Sequence, residues 1–344
     1  MMRALALLAA LTLWGATALA QETPLLDAGE GHSTPPLLQG EIEPALDGLA
    51  GTTRTLQNAV LRHCVAPSAV TRDALGRAFD NTVEAAALFA PLAFGHPLLE
   101  DTPTRFFTEA ESTAISRARL RAMMARAADA PATLARLADE DLGLTGLSAL
   151  ERLLLAKDYS PDEALSNRCI LARTIAANLH QVAGTARALW SAGAIAAHWR
   201  GEAVELAERL RLRDLLQGAS DAVDRFERDV TEYARQPRNN GAIPFARPGT
   251  GRLYLRGLTD ALLAQMGRIR TLAAPEDNAE AILSDIEAAL VRGRQRLMGP
   301  TWREGAYLVA FQQATDDITQ RLPGALGFDA RAFRPALTSF DRPR

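Results

Sequence analysis

Apolar residues return every three or four positions in one segment after another of this 344-residue chain, and no segment sustains the apolar–polar alternation of a strand. A chain patterned in this way can bury its apolar stripes only by packing helix against helix. Abundant Ala, Leu and Arg and only 6% aromatic residues support the same conclusion, because these favour helices over strands. The expected fold is all-α: two antiparallel helical bundles, each resembling a four-helix bundle.

Turn signals divide the pattern. Leu46, Leu49, Leu56, Val60 and Leu61 lie on one face of a helix from about Glu41 to Cys64, and Pro67 breaks it. Ser68 can cap a second helix, carrying Val70, Leu75, Phe79, Val83 and Ala87 and ending near Pro91. After a loop with Gly95, Pro97 and Pro103, helices are expected over about 109–128 and 131–140, and a compact apolar one between Gly143 and Lys157. Ser160-Pro161-Asp162-Glu163 opens a helix that runs to about Ser191, and another spans about Gly201 to Arg235. Gln236–Gly251, with Pro237, Asn239-Asn240-Gly241, Pro244 and Pro248, is the strongest loop signal. Helices over about Arg252–Leu272, Pro275–Met298 and Trp302–Leu322 complete the set.

The first residues determine the compartment. Arg3 supplies a positive start, Ala4–Thr17 is an uncharged apolar run, and Ala18-Leu19-Ala20 is a small-x-small cleavage site. The run is short for a membrane span, and no later stretch approaches that length. The expected organisation is a signal peptide over 1–20, a flexible leader over 21–40, an N-terminal bundle over 41–200, a C-terminal bundle over 201–325 and an irregular segment over 326–344. Cleavage by a signal peptidase after Ala20 would release the chain to the periplasm, with no transmembrane segment. A net charge of −3 argues for neither nucleic acid nor an anionic membrane surface, and no nucleic-acid partner is expected.

Cys64 and Cys169 are the chain's two cysteines. In an exported protein the pair is expected to form a disulfide, with two buried thiols as the alternative. Neither lies in a C-x-x-C motif. The histidines, His32, His63, His96, His180 and His198, are scattered, and no nucleophile elbow, P-loop, dinucleotide fingerprint or H-E-x-x-H helix is present. His96 and Glu100 are four apart, although Gly95 and Pro97 argue against a regular helix there.

The segment Gly146-Leu147-Ser148-Ala149-Leu150-Glu151 is more informative. Ser148 and Glu151, three residues apart, share a helix face. One carboxylate on an apolar helix is either inside the bundle and paired, with Arg105, Arg117 or Arg168 as partner, or at the surface with Arg152 beside a leucine seam.

That segment, with Arg152-Leu153-Leu154-Leu155 after it, resembles the G-x-H-x-x-E motif of the imelysin-like proteins, exported helical proteins that include metallopeptidase-like and iron-regulated members. Phe94-Gly95-His96-Pro97-Leu98-Leu99-Glu100 with Arg105-Phe106-Phe107, the helix opened by Arg168-Cys169 and closed by Ala188-Leu189-Trp190, and Leu322-Pro323-Gly324-Ala325-Leu326-Gly327-Phe328 are similar to other parts of that family. The resemblance implies two helical bundles, a periplasmic location and a metal ion as the cofactor. This chain departs at one position: Ser148 stands where the family has histidine. A hydroxyl is a poor transition-metal ligand and no general base near neutral pH.

The expectation is therefore a non-catalytic imelysin-like protein. It would bind a metal, a small ligand or a periplasmic protein through a site formed by Ser148, Glu151, His96, Glu100, Arg105 and Arg117. A metal-dependent peptidase using Glu151, His96 and Glu100 and a helical scaffold without a ligand site are the alternatives.

Overall fold

Pro36 opens α1 (Pro36–Val65). A proline suits a helix's first position, where its missing N–H would have no partner and its φ is already helical. The helix therefore starts more than a turn ahead of Glu41, where the apolar spacing begins. The computed structural model describes residues 36–107, 120–125, 146–156, 165–198, 204–235, 245, 247–298 and 306–333.

Ser68 caps α2 (Ala69–Phe94) as its spacing predicts. Its Oγ accepts from the Thr71 N–H at 3.2 Å, and the Thr71 hydroxyl oxygen accepts from the Ser68 N–H at 3.0 Å. Pro91 does not end this helix. It removes one backbone bond, but burial of Leu92 and Ala93 holds the final turn, and Gly95 is the cap. The connection after Gly95 leads into a short helix, α3 (Asp101–Phe106). The next described elements are α4 (Leu147–Leu154), α5 (Leu165–Ser191) and the short α6 (Ala194–His198). The helices expected around 109–128 and 131–140 lie largely outside the described residues, although 120–125 are helical.

The C-terminal half follows the expected order: α7 (Val204–Arg235), α8 (Pro248–Ala273), α9 (Asp277–Met298) and α10 (Ala306–Asp316). After α10 the chain passes through a π-turn, Asp317–Arg321, into α11 (Leu322–Ala325). Spacing could not reveal the π-turn, because it adds one residue to the turn without interrupting the helix.

Helices α7, α8, α9 and α10 close a ring in which each packs on the next and α10 returns to α7. On the other side α1 packs against α2 and α5, and α4 lies on α5. Helix α2 also packs against α7 and α8, so it belongs to both groups. Its buried positions explain this. Leu75, Phe79, Val83, Ala86 and Ala90 form one stripe, and Ala78, Ala87, Leu92 and Ala93 extend burial around the helix. A helix apolar on most of its circumference must be covered on most of its circumference.

Two glycines allow the closest of these crossings. A Cβ on Gly95 would lie 1.8 Å from the Asp214 carbonyl oxygen, and one on Gly218 would lie 2.0 Å from that of Pro91. The end of α2 and the middle of α7 therefore meet backbone to backbone.

The cysteines are joined. Cys64, at the end of α1, and Cys169, in the first turns of α5, form a disulfide with a Cα–Cα distance of 5.6 Å. This lies within the range a disulfide can span, and the bond closes a loop of 105 residues.

Candidate functional site

Helix α4 is eight residues long, and every one of them is buried. Five are Leu or Ala, and they pack into the core by the ordinary hydrophobic drive. Ser148, Glu151 and Arg152 go in with them, at 4%, 0% and 3% exposure. A surface seam carrying Glu151 and Arg152 into water is thereby overturned. The helix is so short and so completely covered that it has no solvent face for its charges.

A buried carboxylate needs a counter-charge and hydrogen bonds. For Glu151 these come from Arg247, in the loop just ahead of α8. Arg247 Nε donates to Glu151 Oε1 at 2.9 Å, and its backbone N–H donates to Oε2 at 3.3 Å. The guanidinium then reaches out to Asp80 of α2, with Nη2 donating to Oδ1 at 2.8 Å. Its carbon lies 5.4 Å from the centre of the Phe79 ring, where the ring's negative face attracts it. Arg247 thus ties α4, α2 and the start of α8 together. It grades from Glu151, which is sealed from water, to Asp80, which is 43% exposed.

Aromatic rings wall this cluster. Phe245, two residues before Arg247, meets Phe79 edge-on at 6.1 Å and Phe107 at 6.3 Å, and Phe107 lies 4.6 Å from Tyr254. Arg225 of α7 donates through Nη2 to the Phe107 carbonyl and through Nε to the Tyr254 hydroxyl oxygen. Arg72 donates to the Leu155 carbonyl at the end of α4. His63, buried on α1, has its pKa lowered, first by desolvation and then by the positive charges of Arg72 and Arg168.

The described members of the expected site come from α4, from the turn after α2 and from α3. Ser148 and Glu151 share α4, as their spacing predicts. His96 is 1% exposed and follows the end of α2. Its Nδ1 accepts from the Leu98 N–H at 3.2 Å, so Nε2 carries the proton and donates to the Ile195 carbonyl at 3.2 Å. That imidazole links two backbone segments and keeps no lone pair directed at a ligand. Glu100, four residues on, is exposed at the N-terminus of α3, and Arg105 is partly buried in the last turn of that helix. Arg117 lies outside the described residues. Sequence reasoning did not single out Arg247. The available signal was Phe245-Ala246-Arg247-Pro248, a large aromatic and an arginine immediately before a helix-opening proline in an otherwise polar loop.

The donor set does not fit a metal ion. Ser148 offers a neutral hydroxyl, and both Glu151 oxygens accept bonds from Arg247. The guanidinium also stands against Glu151, where an approaching cation would be repelled. Among the described residues no group of three or more His, Cys, Asp or Glu side chains could hold a metal.

Comparison with known proteins agrees with the architecture. The family model described as Imelysin matches residues 42–246. The fold is similar to the crystal structure of an imelysin-like protein from Psychrobacter arcticus 273-4, with a TM-score of 0.64 over 86% of this chain and 94% of that one, at 15% sequence identity. No curated protein matches the chain in sequence. Among the described residues no helix is long and apolar enough to cross a membrane.

Proposed function

Since the chain belongs to the imelysin family, we propose that it is a non-catalytic member acting by binding in the periplasm, its motif helix converted from a chemical site into an internal anchor. The observation that carries this is the pairing of Glu151 with Arg247. In place of a histidine and a divalent ion, the motif carboxylate is neutralised by a guanidinium from the same chain. Such a cation cannot polarise a carbonyl as a Lewis acid or lower the pKa of a bound water as a metal does. Export is supported by the Arg3, Ala4–Thr17 and Ala18-Leu19-Ala20 series. It is supported also by the Cys64–Cys169 bond, since structural disulfides persist in oxidising compartments.

Titration of the purified exported protein with Zn²⁺ and Fe²⁺, alongside Ser148→His and a Ser148→His/Arg247→Met double variant, tests the proposal. Neither the natural chain nor Ser148→His should bind metal stoichiometrically, because Arg247 keeps Glu151 occupied. The double variant should gain affinity, with the new imidazole joining a released carboxylate on one helix face. Chelator-sensitive peptide cleavage by the natural chain, lost in Glu151→Ala, would overturn the proposal. N-terminal sequencing of the periplasmic fraction should begin at Gln21.

A further inference from the structure

A cleft of about 710 Å³ opens between α1 and α5, away from the motif helix. Asp47, Gly51 and Arg54 line it from α1, and His180, Gly184 and Arg187 line it from α5. Its volume falls in the range of small-molecule sites. The two glycines leave its walls open, since a Cβ on either would meet nothing within 4 Å.

The chemistry of the lining is specific. Thr53 is fully buried, and its hydroxyl donates to the Leu49 carbonyl at 2.9 Å, within reach of that of Ala50 as well. That use of its only proton leaves the oxygen to accept from His180 Nδ1 at 3.3 Å. With the Thr53 proton used in this way, the neutral tautomer that fits the network carries its proton on Nδ1 and has its lone pair on Nε2, which makes no hydrogen bond among the described residues. Arg187 is held through Nε by Asp47. Its terminal nitrogens make no bond among the described residues. Arg54, about two turns beyond Asp47 on α1, makes no ion pair among them. Asp47 and Glu43 both act on Arg187, whereas Arg54 has no acidic partner among the described residues, so the unused N–H groups of Arg54 and of the end of Arg187 suit an anion better than a metal ion.

We propose that this cleft binds a small oxyanion that also carries an O–H group, the chemistry shared by a hydroxycarboxylate and a singly protonated phosphate. The anionic oxygens would bridge Arg54 and Arg187, where planar N–H pairs match carboxylate and phosphate geometry. The ligand hydroxyl would donate to His180 Nε2. The site is independent of Glu151 and of whether the motif helix holds a metal.

Calorimetric titration of the full exported chain with malate, succinate and inorganic phosphate tests this. Saturable binding of malate or of phosphate is expected, and which of the two binds identifies the source of the oxyanion. Malate should bind at least about tenfold more tightly than succinate, which lacks the hydroxyl. Arg54→Ala should weaken binding by about tenfold or more, since it removes a charge-assisted contact. Gly184→Leu should abolish binding by filling the cleft; its Cβ meets nothing within 4 Å, and an unchanged melting temperature would show that the loss is not one of folding. Absence of saturable binding of all three up to about 10 mM would overturn the proposal. So would binding that survives both substitutions, or succinate binding as tightly as malate.

Discussion

Arg247 Nε donates to Glu151 Oε1 at 2.9 Å across a sequence separation of 96 residues, and the same residue's backbone N–H covers the other carboxylate oxygen. The pairing is asymmetric, with Glu151 fully enclosed and Arg247 about one-third exposed. Removing the arginine takes away the bonds to both oxygens of a carboxylate that stays sealed from water. Removing the carboxylate leaves a guanidinium that still has Asp80 and water. Arg247→Met should therefore destabilise the fold by about 3 kcal/mol or more, Glu151→Leu by less, and the double variant by least. Denaturant unfolding of all four proteins of this cycle measures the coupling directly.

The crossing of α2 and α7 makes a second expectation. A methyl group on Gly218 would sit 2.0 Å from the Pro91 carbonyl oxygen, well inside contact distance, and neither partner is a movable side chain. Gly218→Ala should cost about 3 kcal/mol or more, although alanine is the better helix former. By contrast, Gly267→Ala in α8 meets nothing within 4 Å and should be neutral or stabilising. Thermal melting of the two variants separates the effects of crossing and propensity.

Much of this architecture was legible before any coordinates. Helix spacing, the Ser68 cap, the two cysteines and the Ser148–Glu151 face all depend on local periodicity or on composition, and the chain displays both openly. Arg247 did not show itself, because a salt bridge between a short core helix and a distant loop leaves no trace in spacing. The burial of Glu151 and Arg152 was obscure for a related reason. Charged residues adjacent in sequence usually mark a wet face, and only the complete covering of α4 reverses that rule. The α1–α5 cleft is made by glycines on two helices, and each looks like a mild helix defect until the helices are placed side by side.

His63 should make stability fall on the acid side. Burial and the charges of Arg72 and Arg168 lower its pKa in the folded chain, so the unfolded chain binds its proton more readily. The contribution is fully present above the unfolded histidine value of about 6.5 and is lost as pH falls below it towards the lowered folded value. His63→Asn keeps a donor near Thr71, which lies 3.1 Å from Nδ1. Its unfolding free energy should vary less between about pH 7 and pH 5 than that of the natural chain.

Reduction of Cys64–Cys169 should loosen the α1–α5 pair without dissolving it. In the chain-entropy model, closing a loop of 105 residues constrains the unfolded state by up to about 4.7 kcal/mol. The Cys64→Ala/Cys169→Ala variant should lose most of that in denaturant unfolding, while its helix content by circular dichroism should stay native. An unchanged midpoint would show that the bond adds nothing to stability.

Because α2 packs against α1 and also against α7 and α8, cutting the chain near residue 200 should separate helices that cover one another. A fragment ending there would present the α2 stripe that α7 and α8 normally cover, and its complement would lack the helix on which those two rest. Nicking the backbone between α6 and α7 should instead yield two pieces that co-elute, joined through α2 as firmly as subunits of an obligate dimer.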